Sequence, residues 1–391
     1  MTVYRSLDTA DRILLGPGPS CVHPRVYRAL AAPLVGHLDP QFLAVMEDVK
    51  ALLQEVFQTA NRLTIPISGT GSAGMEACLV NVVEPGDPVL VCVNGVFGRR
   101  MLDVAQRCGA ETTVVEAPWG SPIAPESVQA ALAGHQYKVV GIVHAETSTG
   151  VLQPVEDIGA LARQHGALFL VDTVTSLGGV PVAVDAWGAD LCYSGTQKCL
   201  SCPPGLAPVT FSERAVEVVH QRRRPPQSWY LDLGMLERYW GEERVYHHTA
   251  PVSMNYALRE ALLLIHEEGL EARWERHRGA HRALVRGVEA LGLKMAVDAA
   301  WRLPTLNAVR IPAGVDDRRA RAFLLRAHNM EIGGGLGEFA GKVWRVGLMG
   351  HSATLHNVVL LLTGLAAAAA EQGLALPVGE AVRAAMEADG G

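Results

Sequence analysis

The chain has 391 residues, 49% hydrophobic and 19% charged, with a formal net charge of −6. Such a composition suits one large and one small globular domain, and its negative balance excludes nucleic acid or an anionic membrane surface as the expected partner. Seven cysteines without paired spacing predict reduced thiols and a cytoplasmic location; no secretory pattern opens the chain, and no apolar run reaches membrane length without a charge, Gly or Pro.

Residues 1–20 are expected to form an N-terminal arm, and its LLGPGPS run (14–20) carries glycines that let backbone approach a ligand closely. Asp39-Pro40 then reads as a helix cap with a first-turn proline. Behind it Phe42, Val45, Met46, Val49, Leu52, Leu53, Val56 and Phe57 recur at helical spacing. From there strands and helices alternate. Strands are predicted at 63–68, 88–93, 112–115, 139–144, 167–172, 191–194 and 208–211, and helices at 72–82, 96–108, 125–133 and 155–165. This punctuation predicts a mainly parallel sheet covered on both faces, and uninterrupted apolar runs such as ALFLV (167–171) agree. After Tyr256 a long helical stretch runs to about residue 291, followed by strands at 307–311 and 343–348 and helices at 317–328 and 355–370. The expected architecture is α/β: a large domain over 21–268 with a mainly parallel seven-stranded sheet, then a smaller α+β domain over 269–391.

The stretch that carries chemistry is DLCYSGTQKCLSCPPG, residues 190–205. Its single lysine, Lys198, sits among small uncharged residues between a strand signal and a Pro-Pro-Gly turn. An amine held away from water loses its proton more readily and becomes a usable nucleophile toward aldehydes. Twenty-six positions earlier a buried strand ends on Asp172. Strand ends of open α/β sheets are where ligands sit, and a carboxylate there calls for a positive partner. A lysine for an aldehyde and an acid for a protonated pyridine nitrogen are the two groups pyridoxal phosphate demands.

Gly69, Gly71 and Gly74 in SGTGSAGMEA fit the glycine spacing of a dinucleotide site. That reading needs an acid at the end of the second strand, which instead runs out at Asn94. A single phosphate fits the loop equally well, through backbone N–H groups at a helix start and the hydroxyls of Thr70 and Ser72. Gln197 adds an amide donor, Phe97 in NGVFG offers a face to a pyridine ring, and Thr147 in ETSTG offers a donor to the ring hydroxyl. Arg345, inside the apolar VWRVG with no acidic sequence neighbour, suits a substrate carboxylate. The YHHT segment (246–249) concentrates donors before a helix. Its adjacent histidines do not suit one metal, Cys199 and Cys202 lack a second pair, and no metal site is expected. His277 and His281 read as a solvated helical face.

LLGPGPS, SGTGSAGMEA, NGVFG, ETSTGVLQP, VDTVTSLGG, SGTQKCLSCPPG, YHHTAPVSMNYALRE and KVWRVGLMG follow one another in this order. With them the chain resembles, over nearly its whole length, the class V, fold-type I pyridoxal-phosphate aminotransferases, and most of all the alanine–glyoxylate and serine–glyoxylate (serine–pyruvate) group. The resemblance implies transfer of an amino group from alanine or serine to glyoxylate or a similar small 2-oxo acid, in two half-reactions with pyridoxal 5'-phosphate as cofactor. It implies that Lys198 bonds the cofactor aldehyde and that Asp172 faces the pyridine nitrogen. Thr147 then contacts the ring hydroxyl, Phe97 stacks on the ring, and Thr70, Gly71, Ser72 and Gln197 hold the phosphate. Arg345 takes the substrate carboxylate, and the backbone at Gly18 lines the pocket. The family's homodimers share their sites, so Tyr246 and Thr249 are implied to reach the other subunit's phosphate. Aminoethylphosphonate and ureidoglycine aminotransferases stand as alternatives. So does a cysteine desulfurase-like lyase, although such lyases usually place histidine before the lysine, where this chain has Gln197. Many relatives carry tryptophan where this chain has Phe97 and histidine where it has Ser72.

Overall fold

The computed structural model describes residues 7–389, so the first six residues of the expected arm and the last two of the chain lie outside the described residues. Seven strands form the central sheet: β1 (Leu63–Ser68), β2 (Pro88–Val93), β3 (Glu111–Glu116), β4 (Val139–Val143), β5 (Leu168–Asp172), β6 (Leu191–Tyr193) and β7 (Leu206–Phe211). Their spatial order is β1-β7-β6-β5-β4-β2-β3. Only β7 opposes the others, pairing antiparallel with both β1 and β6. Alternate residues of one strand enter separate cores: Val89, Val91 and Val93 of β2 join one cluster, Leu90 and Cys92 the other. Helices Gly71–Val82 and Val96–Arg107 seal the first face, and helices Pro125–Leu132, Glu156–Gln164 and Val252–Glu268 seal the second. That two-sided cover is why the strands read as continuous apolar runs.

The chain moves outward from β2 to β3 and inward from β4 to β5. The crevice between β2 and β4 is therefore the switch point at which open α/β sheets place their ligands. Asp39 caps helix Pro40–Phe57 as the sequence suggests, accepting from the Gln41 N–H at 2.8 Å.

Beyond Gly269, helix Leu270–Ala290 packs with helices Leu355–Ala370 and Val378–Asp389. They cover a three-stranded antiparallel sheet of Leu306–Arg310, Val343–Gly347 and Gly333–Gly334. Leu284, Val288, Trp344, Val346, Leu361 and Leu365 form its core, and Leu15 from the arm inserts into it. The described part of the arm is pinned at two places. Ile13–Leu14 pairs in parallel with Met330–Glu331, and the Ser20 N–H donates to the Gln197 carbonyl at 2.9 Å.

The solvated reading of His277 and His281 is corrected here. His277 is fully buried: its Nδ1 contacts the Arg273 carbonyl at 2.7 Å, and its Nε2 accepts from the Gly350 N–H at 2.9 Å. His281 meets the Asn307 amide oxygen at 2.7 Å. Burial holds both imidazoles well below their ordinary range, to about 3 and about 4, so both are neutral struts between the helix and its neighbours.

Candidate active site

The C-terminal ends of β1, β2, β4, β5 and β6 lead directly into the segments that carry the candidate residues. A cavity of about 320 Å³ gathers seven of those singled out in the sequence: Thr70, Gly71, Ser72, Phe97, Asp172, Gln197 and Lys198. Met75, Arg100, Val174 and Tyr193 complete its wall.

Lys198 is 7% exposed. Burial moves its amine down from the usual lysine range to about 8, and the nearby positive charge of Arg345 adds to the shift. The Nζ donates to the Pro17 carbonyl of the arm. The loop that carries it is clamped along its main chain. Ser20 Oγ donates to the Lys198 carbonyl at 2.7 Å, and Arg273 Nη2 donates to the Cys199 carbonyl at 2.7 Å. Gly18 lies against the lysine side chain with φ of 112°, and a Cβ there would sit 2.8 Å from Lys198 Cδ. That φ favours glycine, and a side chain there would have to displace the end of Lys198.

Asp172 ends β5 and is 2% exposed. Its Oδ1 accepts from the Val174 N–H at 2.8 Å and its Oδ2 from the Tyr193 hydroxyl at 2.6 Å. Burial pushes the carboxyl up to about 6; the two hydrogen bonds and the Lys198 charge restrain the rise. Among the described residues no cation pairs with it directly, so its electrostatic demand is open toward the cavity.

Helix Gly71–Val82 begins at the cavity wall, and no side chain caps it. Its glycines are explained by packing. A Cβ on Gly74 would meet the Cβ atoms of Ala207 and Tyr193 at 3.1 Å, and one on Gly71 would meet Val174 at 3.2 Å. The helix start thus lies tight on the strand ends, which presents its N–H groups and the Thr70 and Ser72 hydroxyls to an anion. Gln197 Oε1 is buried without a hydrogen-bond partner. Arg100, which the sequence reading passed over, donates to Ser72 Oγ at 3.2 Å, and its guanidinium carbon lies 4.8 Å over the Phe97 ring.

Thr147 and Arg345 are joined to each other: Arg345 Nη1 donates to the Thr147 carbonyl at 3.1 Å, and Nε to the Gly334 carbonyl at 2.7 Å. Both residues are buried, and no carboxylate forms an ion pair with Arg345 among the described residues. Burial lowers the pKa of this guanidinium, and it keeps donor capacity for an outside anion. Tyr246 and Thr249 stand apart. Tyr246 is 57% exposed, with its ring 5.3 Å from that of His37, and neither residue lines the cavity of its own chain. Tyr193 was legible in principle, because it stands in register with Asp172 on the neighbouring strand.

The family model described as Aminotransferase class-V matches residues 25–337. The chain belongs to this family. Alanine–glyoxylate aminotransferase of Callithrix jacchus is 43% identical over 93% of this chain and 89% of its own length. The (S)-ureidoglycine–glyoxylate transaminase of Bacillus subtilis is 41% identical, over 99% of this chain and 97% of that protein. Among solved structures, the Bacillus subtilis ureidoglycine–glyoxylate aminotransferase superposes with a TM-score of 0.97 at 43% identity, covering 99% of this chain and all of that one. Alanine–glyoxylate aminotransferase from Nostoc sp. gives 0.93 at 51% identity, covering 94% of this chain and 98% of that one. This class V aminotransferase is a pyridoxal-phosphate-dependent transaminase of fold-type I. Its cavity fits the cofactor: an amine of lowered pKa and a buried carboxylate lacking a cation share it with an uncapped helix start.

Proposed function

We propose that this transaminase moves an amino group from a small 2-amino acid, alanine or serine, to glyoxylate or a similarly small 2-oxo acid. The observation that carries the substrate class is Arg345, a buried guanidinium whose two protein hydrogen bonds both go to main-chain carbonyls. A buried cation without an acid is costly, and a carboxylate common to donor and acceptor relieves that cost in both half-reactions. The curated relatives named above share glyoxylate and differ in the donor, which makes ureidoglycine the second candidate donor.

Bound pyridoxal phosphate supplies an aldehyde for the donor nitrogen and a ring that draws electrons from the adjacent carbon. Lys198 would hold that aldehyde, and its Nζ would take up the proton from the donor α-carbon. An amine with a pKa near 8 is matched to that exchange at neutral pH. Asp172 holds the positive pyridine nitrogen, and Tyr193 and Val174 fix the carboxylate's direction. Thr70, Gly71, Ser72 and Gln197 hold the phosphate, Phe97 stacks on the ring, and Thr147 meets the ring hydroxyl. Arg345 binds the substrate carboxylate, with the Gly18 backbone closing the pocket. The protein acts as a cytoplasmic homodimer in which Tyr246 and Thr249 serve the second copy's phosphate. Supporting the dimer, Leu34, Leu38, Trp229 and Tyr246 form apolar surface at 70%, 45%, 59% and 57% exposure.

The test is a panel of alanine, serine and ureidoglycine donors against glyoxylate and pyruvate, followed by the amino-acid product. Turnover with alanine or serine and glyoxylate is expected. Turnover confined to ureidoglycine selects the second donor, and the absence of transfer from every donor contradicts the proposal.

A further inference from the structure

Glu146 ends the short strand Ala145–Glu146 that follows β4, and it is fully buried. It forms no ion pair among the described residues. Instead its Oε1 accepts from the Ser148 N–H at 3.0 Å and the Ser148 hydroxyl at 2.6 Å. Its Oε2 accepts from the N–H groups of Phe97 and Gly98 at 3.1 and 3.3 Å. Ser148 Oγ in turn accepts from the Val96 N–H at 2.9 Å. The first three N–H groups of helix Val96–Arg107 are therefore all held by one pair of side chains. Between Glu146 and Ser148 lies Thr147, whose carbonyl anchors Arg345 at 3.1 Å. The approach is close: a Cβ on Gly95 would lie 2.4 Å from Glu146 Cδ and 2.5 Å from Ser148 Oγ.

We infer that Glu146 is a positioning residue: its carboxylate ties the Phe97 ring to the turn that anchors Arg345, so that the cofactor face and the carboxylate clamp are set by one rigid element. This rests on the functional reading above. Neither role requires Glu146 to touch cofactor or substrate. A carboxylate serves better than an amide here because every group facing it is a donor. It is the buried acceptor of four hydrogen bonds, and a glutamine at the same place turns one oxygen into a donor that faces donors.

The test uses Glu146→Gln, and also Gly95→Ala, which keeps every polar group and only adds the clashing methyl. In both, the dissociation constant of apoenzyme for pyridoxal phosphate, titrated by absorbance, is expected to rise about tenfold, the scale of one lost charge-assisted hydrogen bond. The KM for carboxylate-bearing donors rises by a similar factor, while kcat stays within about threefold. Combined with Phe97→Leu, Glu146→Gln weakens cofactor binding less than it does alone, because the ring it positions is gone. Ser148→Ala reproduces the pattern and substitutes for Glu146→Gln should thermal melting show that variant unfolded. Unchanged cofactor affinity and KM in folded variants overturn the inference, as does strict additivity with Phe97→Leu. A wild-type protein that takes up no pyridoxal phosphate overturns the functional reading itself, and this inference with it.

Discussion

The reacting end of the site and its phosphate end are built differently. Lys198, Asp172 and Arg345 are 7%, 2% and 7% exposed, and each is held by partners from its own chain. Thr70, Tyr246 and Thr249 are exposed, and Ser72 is held by a surface arginine. One subunit thus preorganises the groups that handle protons and charge, where a misplacement of about 1 Å is most damaging. The phosphate is a bulky anion that tolerates several donors, and of the residues proposed to hold it Gly71 is buried while Thr70, Tyr246 and Thr249 sit on surface that a second copy is proposed to cover.

Substitutions separate the two ends. The largest effect is expected at Asp172→Asn, which removes the charge facing the ring nitrogen while keeping the shape; kcat should fall by about a thousandfold, read in single-turnover absorbance. A loss of only a few-fold would break the claim that this carboxylate is electrostatically engaged. Arg345→Gln should lower kcat/KM for carboxylate donors about a hundredfold, mostly through KM. An equal loss with an amine lacking a carboxylate would assign Arg345 a purely structural role. Tyr246→Ala should leave the reacting end intact and weaken cofactor affinity about tenfold, with loss of cofactor on dilution. A dilution-independent affinity would remove the shared-phosphate half of the comparison.

The smallest effect is a pH profile. Because burial holds the Lys198 amine at about 8, it is mainly protonated below that pH and mainly neutral above it. The rate at which apoenzyme captures pyridoxal phosphate should climb with pH and level off near 8. A rate still climbing through 10 would mean an ordinary exposed lysine.

The sheet was legible because strands buried on both faces print as apolar runs, and all seven were placed within about two residues of their observed bounds. Asp172 was legible because it ends such a run with a charge, and Lys198 because it is the single charge in a stretch of small uncharged residues after a strand. The clamp on the lysine loop was not. Ser20 and Pro17 meet Lys198 across 178 and 181 residues, and no periodicity encodes a contact of that range. Glu146 was visible in ETSTG, yet its role depends on N–H groups of a helix that starts 50 residues earlier, at Val96. His277 was misread because helix Leu270–Ala290 is covered on more than one side, so a polar residue at helical spacing did not mark solvent.

The proposed point of attachment of the cofactor is the Lys198 amine. Borohydride reduction of the yellow holoenzyme, followed by peptide mapping, tests it directly. The account requires a phosphopyridoxyl group on the peptide that contains Lys198, absent from Lys198→Ala. The same modification on another lysine, or none in a protein that still turns over, would contradict it.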